Sequence, residues 1–258
     1  MEFDRSARVV FNDAAVDYDR YRPCYPDEAI AAMLNLSDVG LNSRLLEVGC
    51  GTGQATASVA SRGLEIDAVE LGPNLAAVAI KKLAPWPRVH ITIGSYEDYE
   101  PLITDYDLIY SAQAFHWVDP CVRLRKSARL LRQKGCLALL YNSTPRLDGA
   151  LAVLSERLQK LTGSPVGTPQ MARDMDRWQT ELSESGLFGN ITVYMHPWSI
   201  TYSAEAYQGL FRTYSDFREL SAELRAKAAE TIERTVDEAG GTVTRDYVCA
   251  LIHARKVG

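Results

Sequence analysis

Short apolar runs alternate with stretches of helical periodicity from about residue 25 to residue 142. The apolar runs cover 44–49, 65–70, 89–93, 106–111 and 137–141. Each is too short for a helix and the right length for a strand. Between them, Pro26–Leu36, Gln54–Ser61, Leu75–Leu83 and Val122–Leu131 place apolar residues three and four apart, which predicts helices. Pro85 and Pro87 stop one of these helices and Gly135 follows another. Strand and helix in regular alternation predict a parallel sheet with helices on both faces, an α/β fold.

The texture changes after residue 142. Residues 148–162 and 171–185 have helical spacing, separated by the loop 163–169. Ile191–Ile200 reads as a strand, Ala204–Ala239 is mostly helical up to Gly240-Gly241, and Val243–Ala254 is a last strand with apolar residues on both faces. A sheet already covered on both faces has no room for that helical block. We therefore expect it to form a cap above the C-terminal ends of the strands, where ligands bind in open α/β sheets. The expected division is a covering segment at 1–36, a ligand-binding core at 37–142, and a remainder at 143–258 that completes the core and carries a helical cap at about 201–240.

The densest chemistry lies where the first strand runs into Glu47-Val48-Gly49-Cys50-Gly51-Thr52-Gly53. Glycines in such a turn allow close backbone approach to a ligand. A dinucleotide fingerprint would need Gly or Ala at the sixth position, and Gln54 or Thr56 stands there. No Gly-Lys-Ser/Thr run marks a phosphate loop. The second strand ends in a carboxylate, Glu70, roughly 20 residues past the glycines, where an acid accepts ribose hydroxyls in nucleotide-binding α/β folds. Leu71 follows it, placed to lie against a base.

Composition narrows the class. The 258 residues suit one large domain or a domain with an inserted cap, and 47% of them are hydrophobic. There is no 18-residue apolar run, so no membrane span is expected. The start, Met-Glu-Phe-Asp-Arg-Ser, has no apolar stretch and does not read as a secretory leader. The five cysteines have neither metal-site nor disulfide-framework spacing, which fits reduced thiols and a cytoplasmic setting. A formal charge of −5 without a basic run argues against a nucleic-acid partner. A small-molecule substrate is the expected partner, with no metal.

The motif Glu-x-Gly-x-Gly-x-Gly at 47–53 resembles motif I of the class I S-adenosylmethionine-dependent methyltransferases. Ser111-Ala112-Gln113-Ala114-Phe115-His116-Trp117-Val118-Asp119 resembles the Ala-Gln-Ala-x-His-Trp-Phe-Asp signature of one subgroup. That subgroup includes the trans-aconitate methyltransferases and related small-molecule carboxyl methyltransferases. Gly94-Ser95-Tyr96-Glu97-Asp98 is similar to the family's segment against the adenine edge, with Ser95 where many members carry Asp. Tyr18-Asp19-Arg20-Tyr21-Arg22-Pro23 resembles an N-terminal Tyr-x-x-Tyr-Arg-Pro that closes over the cofactor. Phe211–Phe217 looks like the cap segment Leu-x-Thr-x-Ser. Leu130–Leu137 looks like a Leu-x-Pro-Gly-Gly segment, departing from it at Gln133 and Lys134.

The resemblance implies a Rossmann-like fold with a seven-stranded, mostly parallel sheet, an antiparallel last strand and a helical cap. It implies S-adenosyl-L-methionine as cofactor, bound by Tyr18, Arg22, Glu47, Gly49, Gly51, Gly53, Glu70, Leu71, Ser95, Tyr96, Glu97 and Ser111. The expected reaction is methyl transfer to a carboxylate or hydroxyl oxygen by in-line displacement. Gln113 and His116 are the candidate catalytic residues, and Trp117, Arg212 and Tyr214 the candidate substrate contacts.

Several roles stay open on sequence. His116 reads first as a hydrogen-bond donor to substrate, with a packing residue or a proton acceptor as alternatives; a carboxylate acceptor, ionised at neutral pH, needs no base. Gln113 is a polar wall contact or a neutral strand-end amide. Tyr18 and Arg22 hold the cofactor carboxylate or simply pack. Trp198, Tyr202, Tyr207, Phe211 and Tyr214 are cap core or pocket, and Arg212 is an acid anchor or a surface ion pair. The competing functions are a silent cofactor-binding regulator of the same fold and, further off, an NAD-dependent oxidoreductase.

Overall fold

The computed structural model describes residues 15–145, 147–165 and 172–258, with backbone only over 172–174. Seven strands form one sheet in the order β3-β2-β1-β4-β5-β7-β6. They are β1 (Arg44–Val48), β2 (Glu65–Glu70), β3 (Val89–Ile93), β4 (Tyr106–Ala112), β5 (Leu131–Ser143), β6 (Phe188–Ser203) and β7 (Thr242–Lys256). β1 to β5 pair in parallel, and β7 runs antiparallel to both β5 and β6. The seven-stranded, mostly parallel sheet with an antiparallel last strand expected from the sequence is therefore present.

The helices are α1 (Ala15–Tyr21), α2 (Asp27–Leu36), α3 (Gln54–Ala60), α4 (Pro73–Leu83), α5 (Pro120–Leu130), α6 (Gly149–Thr162), α7 (Ala172–Glu184), α8 (Ala204–Arg212), α9 (Ser215–Arg218) and α10 (Ala222–Glu238). Alternate strand residues feed opposite faces of the sheet. Leu46 and Ile252 pack with Trp178 and Phe115 on one face. Their neighbours Leu45 and Leu251 pack with Ile30, Met33 and Val59 on the other. The expected loop 163–169 lies partly outside the described residues, from 166 onward, as does the first residue of the helix expected at 171–185.

Three strands are longer than their apolar runs suggest. β5 starts at Leu131, directly after α5, rather than near residue 137. β6 and β7 extend beyond 191–200 and 243–254 at both ends. The reason is a two-stranded ribbon: pairing of β5 with β7 ends at Ser143–Val248, and residues 242–247 pair with β6 alone. A ribbon that projects past the sheet has few buried faces, so its sequence carries more polar residues.

This ribbon sets the position of the cap. β6 runs parallel to β1, and α8 to α10 leave from its C-terminal end and return into β7. The helices therefore stand at the C-terminal edge of the parallel strands. Their core joins Leu151, Leu154 and Leu158 of α6 to Tyr207, Leu210 and Phe211 of α8 and Ala228, Ile232 and Val236 of α10. Ser203 and Ser221 cap α8 and α10 by accepting from the backbone N–H groups of Ala206 and Leu224.

α1 lies across α8. Tyr21 is buried against Gly209, where an added Cβ would stand 2.4 Å from the tyrosine ring. Gly209→Ala should thus displace α1, at about 1–3 kcal/mol for an overpacked contact. Urea unfolding and limited proteolysis around Tyr21 measure it; unchanged stability with an uncut α1 would show that the ring can move aside.

Candidate active site

A cavity of about 300 Å3 opens at the C-terminal ends of β1, β2 and β4. Its floor is the turn after β1. Gly49, at φ +74°, sits so close to the chain after β4 that a Cβ would meet the Ala114 Cβ at 2.4 Å. Gly51, at φ +59°, meets nothing nearer than a Tyr18 ring carbon at 3.9 Å, so its bare backbone faces the cavity. The first glycine is needed for packing and the second for access.

Glu70 holds this turn in place. One carboxylate oxygen accepts from the Gly51 N–H at 2.8 Å and the other from the Gly72 N–H at 2.7 Å. Burial raises its pKa, and the backbone hydrogen bonds oppose that rise by favouring the ionised form. Each oxygen keeps a further lone pair. Leu71 lines the cavity beside it.

Glu47 lies beneath the same turn and also lines the cavity. It is 1% exposed and accepts from the Tyr110 hydroxyl at 2.8 Å. Burial lifts its pKa to about 7, against the hydrogen bond from Tyr110 and the proximity of the Thr56 hydroxyl. A carboxylate so deeply placed ordinarily needs a cation, and no lysine or arginine among the described residues forms an ion pair with it.

The opposite wall follows β4. Gln113 has φ +58°, uncommon for a residue with a side chain. Two bonds hold it there: its N–H donates to the Leu140 carbonyl at 2.9 Å, and its Nε2 to the Asn142 carbonyl at 2.6 Å. A strained, doubly anchored residue on a cavity wall is a mark of functional sites. The chain then makes a 3-10 turn over Phe115–Trp117 that brings His116 and Trp117 to the cavity. The His116 ring lies 4.9 Å from that of Trp117 and 5.9 Å from that of Tyr141. Burial, with added repulsion from Arg123 and Arg177, pushes its pKa down to about 4. His116 is neutral at physiological pH.

The roof comes from α1 and the strap after it. Tyr18, Arg22, Pro23 and Tyr25 line the cavity. The Arg22 guanidinium donates to the Thr213 carbonyl at 2.9 Å and lies 4.6 Å above the Tyr214 ring. Ion pairs Arg20–Glu205 (3.2 Å), Arg212–Asp17 (2.9 Å) and Lys82–Asp19 fix α1 to α8 and α4.

The cavity collects Tyr18, Arg22, Glu47, Gly49, Gly51, Glu70, Leu71, Ser95, Tyr96, Glu97, Gln113, His116 and Trp117 from the sequence expectations. It does not include Gly53, Ser111, Arg212 or Tyr214. Gly53 packs beneath α4, where a Cβ would meet Leu83 at 3.0 Å. The Ser111 hydroxyl is buried and donates to the Val48 carbonyl at 2.6 Å, tying β4 to β1. Arg212 is taken by Asp17 and latches the roof rather than facing the cavity. Tyr214 stands behind Arg22 and packs edge-on to Phe211, as part of the cap core.

Three side chains that line the cavity are already engaged. The Ser95 hydroxyl donates to Asp98 at 2.6 Å. The Tyr96 hydroxyl is paired with Ser127 at 3.0 Å. One Glu97 oxygen accepts from the Asp119 N–H at 2.8 Å. Side-chain recognition by this loop is thus narrower than its sequence suggests. Tyr25, Gln54 and Asn142 line the cavity without having been singled out. Asn142 had a usable signal: it is the first polar residue after the apolar run of β5, at the strand end where ligands bind.

Residues 46–139 match the family described as "Methyltransferase domain". An uncharacterized methyltransferase of Mycobacterium tuberculosis is 33% identical over 162 residues, 63% of each chain. The chain thus spans 63% of that relative's length. An uncharacterized methyltransferase of Schizosaccharomyces pombe is 28% identical over 243 residues, 92% of each chain. A malonyl-[acyl-carrier protein] O-methyltransferase of Ilyobacter polytropus is 30% identical over 116 residues, 44% of this chain and 43% of that protein. Among solved structures, a candidate type II methyltransferase from Anaeromyxobacter dehalogenans superposes with a TM-score of 0.70 at 20% identity, covering 91% of this chain and 98% of that one. That likeness establishes a Rossmann-like class I fold. Among the described residues no helix is long and apolar enough to cross a membrane, and no cluster of three or more His, Cys, Asp or Glu is placed to hold a metal.

His116 offers a direct check on the electrostatics of this wall. Its ring signals should show no titration between about pH 5.5 and 8 when followed by NMR, since an ordinary histidine titrates near 6.5. The sign follows from a depressed pKa: the unfolded chain binds the proton more readily, so His116 weakens the fold as pH falls from about 6.5 through about 4. A midpoint near 6.5 would show a solvated ring.

Proposed function

We propose that this chain, whose residues 46–139 match the family described as "Methyltransferase domain", is an enzyme that moves the methyl group of S-adenosyl-L-methionine onto a carboxylate oxygen of a small acid. The cofactor supplies an electrophilic methyl group, so the protein's tasks are alignment of the acceptor at roughly 3 Å and exclusion of water. The residues present fit it. Glu70 has lone pairs for ribose hydroxyls, Leu71 offers an apolar surface for a base, and the bare Gly51 backbone admits close approach. Arg22 and Tyr18 roof the end of the cavity that would take the amino-acid part. Gln113 and Trp117 border the acceptor side.

The observation that carries the choice of acceptor is the state of His116. A ring with its pKa pushed down to about 4 is a poor base. It would take little of the proton of a phenol, whose pKa is about 10. A carboxylate arrives already ionised and asks only for a hydrogen bond, which neutral imidazole can give. Relatives named as a malonyl-[acyl-carrier protein] O-methyltransferase and a ubiquinone biosynthesis O-methyltransferase support oxygen as the acceptor atom. The small-molecule partner rests on the volume of the cavity, about 300 Å3.

Incubation with methyl-labelled cofactor and a panel of small acids, phenols and amines, read by product mass, tests the reaction. Methylated acids are expected. Cofactor binding with no product from any class would favour a regulator that kept the fold, and affinity for reduced nicotinamide with none for S-adenosylhomocysteine would favour an oxidoreductase. Glu70→Ala should weaken S-adenosylhomocysteine binding by about 1–3 kcal/mol in calorimetry, the scale for hydrogen bonds to a charged group; unchanged affinity refutes the ribose role. His116→Gln should keep kcat/KM within about tenfold on a carboxylate, whereas loss of a general base costs about 100- to 10,000-fold.

A further inference from the structure

Glu47 is the buried charge that the proposed reaction leaves unused. Its neighbours come from every element around it. Tyr110 faces it from β4, Thr56 from α3, Glu70 from β2, Tyr25 from the strap and Cys50 from the glycine turn. Each of these is neutral or acidic; Arg22 of the strap lines the same cavity, but its guanidinium is engaged by the Thr213 carbonyl and the Tyr214 ring and, among the described residues, forms no ion pair with Glu47. A carboxyl group in that setting has two ways to avoid an uncompensated charge: hold a proton, or gain a cation from outside. The cavity that it lines offers the second.

We propose that Glu47 makes donor binding a proton-releasing step: a ligand that brings positive charge over the glycine turn stabilises the carboxylate, and the Glu47 proton leaves to solvent. The inference rests on the cofactor reading above. S-Adenosylmethionine brings two cations, an α-ammonium and a sulfonium, and the shared chemistry is a cation above Glu47. Written as a balance, the protonated carboxyl and the cationic ligand give the carboxylate–cation complex and one free proton. The free protein is poised for this, because burial places the carboxyl's titration at about pH 7.

The sign follows. Binding lowers the pKa of Glu47, so below about pH 7 the free protein holds more protons than the complex. Affinity then rises with pH up to about 7 and flattens above it. If the carboxylate form alone binds, affinity at pH 5 is about 100-fold below the plateau, one decade per pH unit. The ligand's own α-amino group, with a pKa of about 7.7–8.0, stays charged over that range.

Calorimetry of S-adenosylmethionine, S-adenosylhomocysteine and 5′-methylthioadenosine from pH 5 to 7, in two buffers of different ionisation enthalpy, reads affinity and protons released together. The wild-type protein should release protons with S-adenosylmethionine, and Glu47→Gln should release none and lose the pH dependence. Gln keeps an acceptor for Tyr110, so the fold should survive. As a second variant, Tyr110→Phe removes a bond that favours the ionised form and should move the midpoint upward. Equal release with S-adenosylhomocysteine assigns the effect to the ammonium, release with S-adenosylmethionine alone assigns it to the sulfonium, and 5′-methylthioadenosine, which has neither cation, should give none. Binding without proton release, or release that persists in Glu47→Gln, overturns the inference and leaves the cofactor reading standing. Failure of wild-type protein to bind any of the three refutes the cofactor reading itself.

Discussion

Two hydrogen bonds from one carboxylate hold the rest of the site together. Glu70 ends β2, and its two oxygens take the N–H groups of Gly51 and Gly72. The first bond fixes the turn after β1, and the second fixes the entry to α4. Both segments are loops that would otherwise lack partners for these donors. With the turn fixed, Gly49 can lie against Ala114, and the path of the chain after β4 is set in turn. His116 follows on that path, while Gln113 is held by its own bonds to the Leu140 and Asn142 carbonyls.

The roof depends on a different kind of constraint. Two of the ion pairs of α1, Arg20–Glu205 and Arg212–Asp17, lie at the surface and contribute little singly, about 0–1 kcal/mol. The larger effect comes from Tyr21, a buried ring that fits α8 only because residue 209 has no side chain. The same face carries Arg22, whose guanidinium reaches the Thr213 carbonyl at the end of α8. Cap and roof therefore form one packed body, and Arg22 is held over the cavity by the cap core rather than by the sheet. Arg212 acts within that body: its charge goes to Asp17 on the underside of the roof.

The central strands β1, β4 and β5 were legible because they are buried on both faces, and apolar runs mark them. The glycine turn and Glu70 were legible because few residue types can do their work. The ribbon ends of β6 and β7 were not, since half-exposed strands carry polar residues that break the run. Three expected side-chain contacts lie outside the cavity for one shared reason. Ser111, Arg212 and Tyr214 have side chains suited to a ligand, and spacing placed them near the strand ends or in the cap. Which way each points depends on partners far away in sequence: Val48 for Ser111, Asp17 for Arg212, Arg22 for Tyr214. Periodicity carries no information about those pairings. Asn142 was missed for the opposite reason, as a modest amide beside a more conspicuous tyrosine.

Glu47 and His116 are moved from their ordinary titration in opposite directions, and burial is the main cause of both moves. Low polarity disfavours whichever form is charged, so it raises an acid and lowers a base. Glu47 goes up to about 7 and His116 goes down to about 4. The outcome is a cavity in which the acid beneath the glycine turn is partly protonated and the histidine on the acceptor wall is neutral. Such a cavity is ill equipped to pull protons from an acceptor, which fits the proposed pairing of a cationic donor with an anionic acceptor. Attack by an anion on a sulfonium neutralises charge in the transition state. That change is favoured by a poorly solvating site, because charge that disappears needs no stabilisation from water. The same desolvation that removes His116 from service as a base thus favours the reaction that does without one.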